Sequence, residues 1–104
     1  MRHAQVSGFQ WDEGNQEKCR KHGISEDVIE DLFTRPVMIV PDDGHSGEET
    51  RFKAIGKSRD HRHVFVVFTL RKDDETVLIR PISARYMHQK EITAYEKENP
   101  DIQE

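Results

Sequence analysis

The chain has 104 residues, enough for one domain, and its 34% hydrophobic against 35% charged residues allow a single thin core under a heavily solvated surface. No run approaches the ~18 apolar residues of a membrane span, the opening MRHAQVSGFQWDEG lacks the apolar stretch of a secretory signal, and one cysteine, Cys19, excludes an internal disulfide. A reducing cytoplasm is the expected setting. The net charge of −4 argues against a nucleic-acid partner, but its distribution does not: residues 1–50 carry −6, residues 51–90 carry +6 and residues 91–104 carry −4. A basic block inside an acidic frame can make local phosphate contacts. The plain alternative is that exposed strands carry Arg and Lys for solubility.

In chain order, VSGFQW (6–11) alternates weakly and predicts a short strand. Asp12 then caps a polar helix that runs to about His22 and stops at Gly23. Ser25 caps a second helix, with Glu26 and Asp27 suited to its dipole and Val28, Ile29, Leu32 and Phe33 as its apolar face; Pro36 closes it. PVMIV (36–40) predicts a strand, followed by the turn-forming loop PDDGHSGEE. RFKAIG (51–56) alternates, with Phe52, Ala54 and Gly56 on one face and Ile55 on the other. HVFVVFTL (63–70) is the most β-prone run and the expected central strand. KDDE turns the chain into TVLIRPIS (76–83), antiparallel to it, where Pro81 predicts an edge or a bulge. A last helix is expected over about 84–97. The expectation is thus a single α+β domain with a core at about 6–97 and flexible ends: a small antiparallel sheet, two N-terminal helices and one C-terminal helix, with helices covering one face.

Several constellations bear on chemistry. Projecting the last helix at ~100° per residue from Ala84 puts Met87, His88, Glu91, Ile92, Ala94 and Tyr95 on one stripe and Arg85, Gln89, Thr93 and Lys97 outside it. His88 and Glu91 would then face the sheet, one turn apart, with Arg80 or an Arg from a neighbouring strand as the obvious partner for a covered carboxylate. This predicts either an ion pair that pins the helix or an acid/base group held beside phosphate-binding cations. His61 and His63 share one side of a strand entrance and could ligate zinc, but no further ligands stand at a metal spacing, so no metal site is expected. Arg62 points to the other side and joins the basic surface. His3 and His45 are expected to be solvated. Lys21-His22-Gly23 suits a helix C-terminus through the dipole and the left-handed stop, and would also suit a phosphate neighbour. KHGISEDVIEDLF has the outline of a helix-turn-helix, but Glu30 and Asp31 would be repelled by DNA, which excludes a groove reader. Without a phosphate loop or nucleophile elbow, the chemistry most available is acid/base work on RNA, whose 2′-hydroxyl is an internal nucleophile.

The residues FQWDEGN (9–15), KHGIS (21–25), ETRFKAIGKS (49–58) and ISAR (82–85), followed by Glu91 and Tyr95, resemble in order the BrnT family of type II toxin–antitoxin toxins. The resemblance implies a RelE-like fold and a ribonuclease that arrests translation. It also implies an antitoxin with a ribbon-helix-helix DNA-binding domain and a toxin–antitoxin complex that represses its own operon, so any DNA contact is expected through the antitoxin; no cofactor is expected. A dimer within the complex is compatible with it. By the same resemblance Lys21, Arg51, Arg80, Arg85 and Glu91 fall where such toxins place polar site residues. After ISAR, Tyr86 and Met87 stand where the family often has a basic residue and alanine.

Together these give two expectations. In the first, the protein is a metal-independent endoribonuclease: Arg51, Arg80 and Arg85 hold the scissile phosphate, Lys21 assists electrostatically, and Glu91 or His88 is the base or acid. Lys53, Arg62, Lys90 and Tyr95 then contact RNA. In the second, the same basic sheet face is a non-catalytic module that docks an acidic or amphipathic segment of a partner protein.

Overall fold

The computed structural model describes residues 6–42 and 49–98. Its elements are β1 (Val6–Phe9), α1 (Glu13–Arg20), α2 (Glu26–Leu32), β2 (Val37–Pro41), β3 (Phe52–Lys57), β4 (His63–Asp73), β5 (Thr76–Tyr86) and α3 (Gln89–Glu98). The α+β class and the element order agree with the sequence reading. His3 and His45 lie outside the described residues.

The strands form one sheet in the order β1-β5-β4-β3-β2, with β4 central as its composition predicts. Strands β2 to β5 pair antiparallel, and β1 adds parallel to β5. The expectation that Pro81 marks an edge is therefore corrected, because β5 is flanked on both sides. The alternative it offered, a bulge, is what forms: Val67 faces Ser83 while Phe68 faces Pro81, leaving Ile82 as the extra residue. A bulge interrupts the ladder where Pro81 has no N–H to give.

One face of the sheet carries the core. Ala54, Val64, Val66, Phe68, Ile79 and Ala84 meet Cys19, Ile24, Ile29 and Leu32 of the helical layer. Ile24 and Ile29 occupy the positions flanking the Ser25 cap that staple a helix start, and both are buried. Aromatic rings continue this core edge to face, Phe9 to Phe33 at 5.7 Å and Phe33 to Phe68 at 5.3 Å. The acids that excluded a groove reader are fasteners: Glu30 accepts from the Trp11 indole at 2.9 Å, and Asp31 pairs with Arg35 and Arg59 at 3.1 and 2.9 Å.

Two boundaries move. Strand β1 ends at Phe9, before Trp11, because the chain turns there into the α1 cap. More consequentially, β5 runs to Tyr86, which pairs with Val64, and α3 begins only at Gln89. Ala84 and Arg85 are thus strand residues, and the projection that began at Ala84 does not hold. Of its predicted inward stripe Tyr95 is buried, Met87, Glu91 and Ile92 are half-buried, and His88 and Ala94 are exposed. The helices also do not share one face, since α3 engages His63 and Arg85, which alternate away from the core.

Candidate functional site

The second face of the sheet, opposite α1 and α2, gathers most of the predicted site. Arg80 and Arg85 are five residues apart and would point to opposite sides of a regular strand. The bulge at Ile82 resets the alternation. Arg80 pairs with Thr69 and Arg85 with Phe65, two residues of β4 four apart and therefore on one face. Across that face run two rungs in register: Met38, Ile55, Phe65 and Arg85, then Val40, Lys53, Val67 and Ser83. All eight are half-buried, which makes this a partly open apolar surface with cations among and beside its side chains.

Arg85 is fixed on three sides. Its Nη1 and Nη2 donate to Glu91 Oε1 and Oε2, both at 2.8 Å, its Nη1 also lies 3.4 Å from the Tyr86 carbonyl, and its guanidinium stands 4.8 Å from the Phe65 ring centroid. Glu91 in addition accepts the His88 main-chain N–H at 2.9 Å, closing the first turn of α3. The Arg85 bond, with the His88 N–H next, pulls the Glu91 carboxyl down to about 2, and the pairing raises Arg85 above its ordinary value. Glu91 is a committed anion with both oxygens occupied, a poor proton acceptor at neutral pH.

Arg80 is held at the other end of β5 by Asp12 (Nη2 to Oδ2, 2.8 Å) and by Gln10 (Nη1 to Oε1, 3.4 Å). Asp12 also caps α1, and the Asn15 N–H, followed by Arg80, lowers its carboxyl. Lys53 projects from β3 onto the same face, with Nζ 3.9 Å from Asp42. Arg51 stands one residue before β3 and is half-buried, its carbonyl accepting from the Asp42 N–H at 2.8 Å.

The remaining predicted residues lie elsewhere. Lys21 is exposed at the end of α1, in the helical layer across the sheet from Arg85. Arg62 is exposed and lies 3.4 Å over the Tyr86 ring, and Tyr86 alternates to the core side. His61 sits in a turn at φ 66, whereas His63 opens β4 and is covered by α3, so the two do not form a pair of strand ligands. Among the described residues no group of three or more His, Cys, Asp or Glu could hold a metal ion. Lys90 is exposed on the first turn of α3. Tyr95 is 7% exposed, packed edge-on against His63 at 5.7 Å, and burial raises its phenol. It anchors α3, and its ring is not presented to a ligand.

A family model described as "Ribonuclease toxin, BrnT, of type II toxin-antitoxin system" matches residues 11–91. That span takes in Asp12, both arginines of β5, His88 and Glu91. The chain belongs to the BrnT family. Membership makes it a ribonuclease toxin of a type II toxin–antitoxin system, with an antitoxin as its partner. None of the curated proteins compared with it matches the chain. Within the BrnT span the sequence reading missed Asn15, a buried residue of the FQWDEGN motif that joins β1, α1 and β5. The signal available for it was the Asp-x-x-Asn spacing, which can close a reciprocal cap. No helix among the described residues is long and apolar enough to cross a membrane.

Proposed function

We propose that this BrnT chain is a metal-independent endoribonuclease that arrests translation by cutting RNA on the outer face of its sheet. The observation that carries the reading is the bulge in β5, which places Arg80 and Arg85 on one face with Lys53. The two arginines sit on rungs ~13 Å apart, so Arg85 takes the scissile phosphate and Arg80 a neighbouring one, with Arg51, Lys53 and Lys90 supplying further phosphate contacts. The RNA 2′-oxygen attacks the adjacent phosphorus, forming P–O2′ as P–O5′ breaks. The products are a 2′,3′-cyclic phosphate and a 5′-hydroxyl. Arg85 stabilises the extra negative charge on the non-bridging oxygens. His88, exposed at the start of α3 one turn from the Arg85 partner Glu91, accepts the 2′-proton or donates to the leaving oxygen. Glu91 and Tyr95 are positioning residues: one holds Arg85 in place in the free protein, the other seats α3. Lys21 and Arg62, turned away from this face, have no part in the chemistry. A ribbon-helix-helix antitoxin neutralises the toxin in the cytoplasm and carries the complex to DNA.

The test is cleavage of RNA by purified protein in EDTA, read by gel and by end-group analysis. Arg85→Ala should lower the rate by about 10²-fold or more, the loss typical of one transition-state donor. Undiminished cleavage by that variant removes Arg85 from the mechanism. A second reading, a non-catalytic docking module, draws on the apolar side chains of the two rungs, Met38, Ile55 and Phe65, then Val40 and Val67. Growth and bulk RNA left intact when the protein is produced alone, with partner capture retained, would favour it.

A further inference from the structure

Glu91 sits where a substrate anion would be expected. Three donors converge on its carboxylate: Arg85 Nη1 and Nη2, each at 2.8 Å, and the His88 main-chain N–H at 2.9 Å. The first turn of α3, a helix of ten residues, adds the positive end of its dipole. A bidentate guanidinium fork beside a helix N–H accepts a phosphate as readily as a carboxylate, because both present two oxygens at similar spacing.

We propose that this is a phosphate seat plugged by the chain's own side chain, and that a backbone phosphate of RNA binds by displacing Glu91 from Arg85. The inference rests on the reading of Arg85 as a phosphate ligand. The seat is open enough for exchange, since the Arg85 and Glu91 side chains keep 34% and 36% of their exposure. Solvent screens a pair this exposed, so exchanging its carboxylate for another anion costs less than it would in a buried site. The guanidinium does not depend on Glu91 alone for its place, because Phe65 and the Tyr86 carbonyl flank it as well. A plug of this kind sets a threshold. A lone phosphate must overcome the carboxylate by itself, whereas a polyanion also gains Arg80 and Lys53 on the same face and wins the exchange. The plug lowers both affinities by the same factor, so at low concentration it leaves a small phosphate unbound while a strand, held also by Arg80 and Lys53, still binds.

Glu91→Gln tests this, because glutamine keeps the acceptor for the His88 N–H and so the start of α3, yet removes the charge that competes for Arg85. The probes are a 2′-O-methyl RNA oligonucleotide, which binds but cannot be cut, and inorganic phosphate. The variant should bind the oligonucleotide about 3- to 10-fold tighter and should bind inorganic phosphate measurably more tightly than the native protein does. In the native protein the Glu91 carboxyl ¹³C resonance should shift as oligonucleotide is added, a readout that needs no variant to fold. Weaker or unchanged oligonucleotide binding by a Glu91→Gln protein of native melting behaviour would overturn the plug, as would RNA binding that leaves the Glu91 resonance unmoved. Displacement of Glu91 by the 2′-O-methyl strand without cleavage of ordinary RNA would uphold the seat and overturn the catalytic reading instead.

Discussion

Asn15 is 4% exposed and ties three elements together: its Nδ2 donates to the carbonyls of Gln10 at 3.0 Å and Pro81 at 2.8 Å, while its Oδ1 takes the Asp12 N–H at 2.7 Å. Asn15→Ala orphans two carbonyls and half of a cap, at a cost of about 2–4 kcal/mol. Urea unfolding reads this directly, and a change below ~1 kcal/mol would show that water replaces the amide. Gly56 is constrained differently. A Cβ there would lie 2.8 Å from Val37 Cγ1 and 3.3 Å from Leu32 Cδ1. Gly56→Ala should therefore destabilise by about 1–3 kcal/mol through overpacking, checked by the same unfolding curves. The alternation of RFKAIG placed Gly56 on the core face; only the approach of β2 and α2 shows why no side chain fits. Glu91 was legible as a carboxylate needing Arg80 or an Arg from a neighbouring strand, and its partner is Arg85 of β5. Arg85, expected in the last helix, belongs to β5, where it pairs with Phe65.

At the scale of elements, α3 is the most lightly attached. It is fastened by Glu91 to Arg85, by Tyr95 against His63, and by Glu96, whose Oε2 lies 3.4 Å from His63 Nε2 but outside hydrogen-bond geometry. The two titrating groups under α3, Glu91 and His63, respond to acid in the same direction. The Glu91 carboxyl falls from an ordinary 4.5 to about 2; a folded value below the unfolded one gives stability that is complete above pH 4.5 and is lost as the pH drops toward 2. The His63 imidazole is held below its ordinary 6.5 by burial, with Glu96 opposing and Lys57 adding to the shift. It is neutral in the fold, so its contribution is present above pH 6.5 and declines as acid protonates it. Amides of α3 should lose hydrogen-exchange protection on acidification before those of the β4–β5 ladder. Simultaneous loss in both would refute a separately held helix. The sequence places the start of α3 too early because Ala84 and Arg85 are good helix formers. Pairing with Phe65 and Val66, a contact some twenty residues away in the chain, decides for strand.

For the whole molecule, the fold separates charge that the sequence lists only in blocks. The helical layer carries Glu13, Glu17, Glu26 and Asp27, while Lys53, Lys57, Arg80 and Arg85 project from the other face of the sheet. A chain of net charge −4 can thus present four cations on one face, three of them beside the acids Asp42, Asp12 and Glu91. Binding of the non-cleavable RNA should weaken with salt, with a log–log slope of about −2 if three phosphates are engaged. A slope near zero would place the RNA on the apolar rungs without phosphate contacts. The sequence by itself determined the order of the elements, the caps of α1 and α2, the central position of β4, the alternation that makes Val64, Val66 and Phe68 core, and the motifs that carry the BrnT resemblance, because each is written in neighbours a few residues apart. Only the tertiary structure decided that β1 lies parallel beside β5, that Pro81 sits at an interior bulge, and that Arg80 and Arg85 share a face. Those outcomes depend on which strands pair and in what register, and one extra residue at Ile82 reverses the side on which everything after it projects.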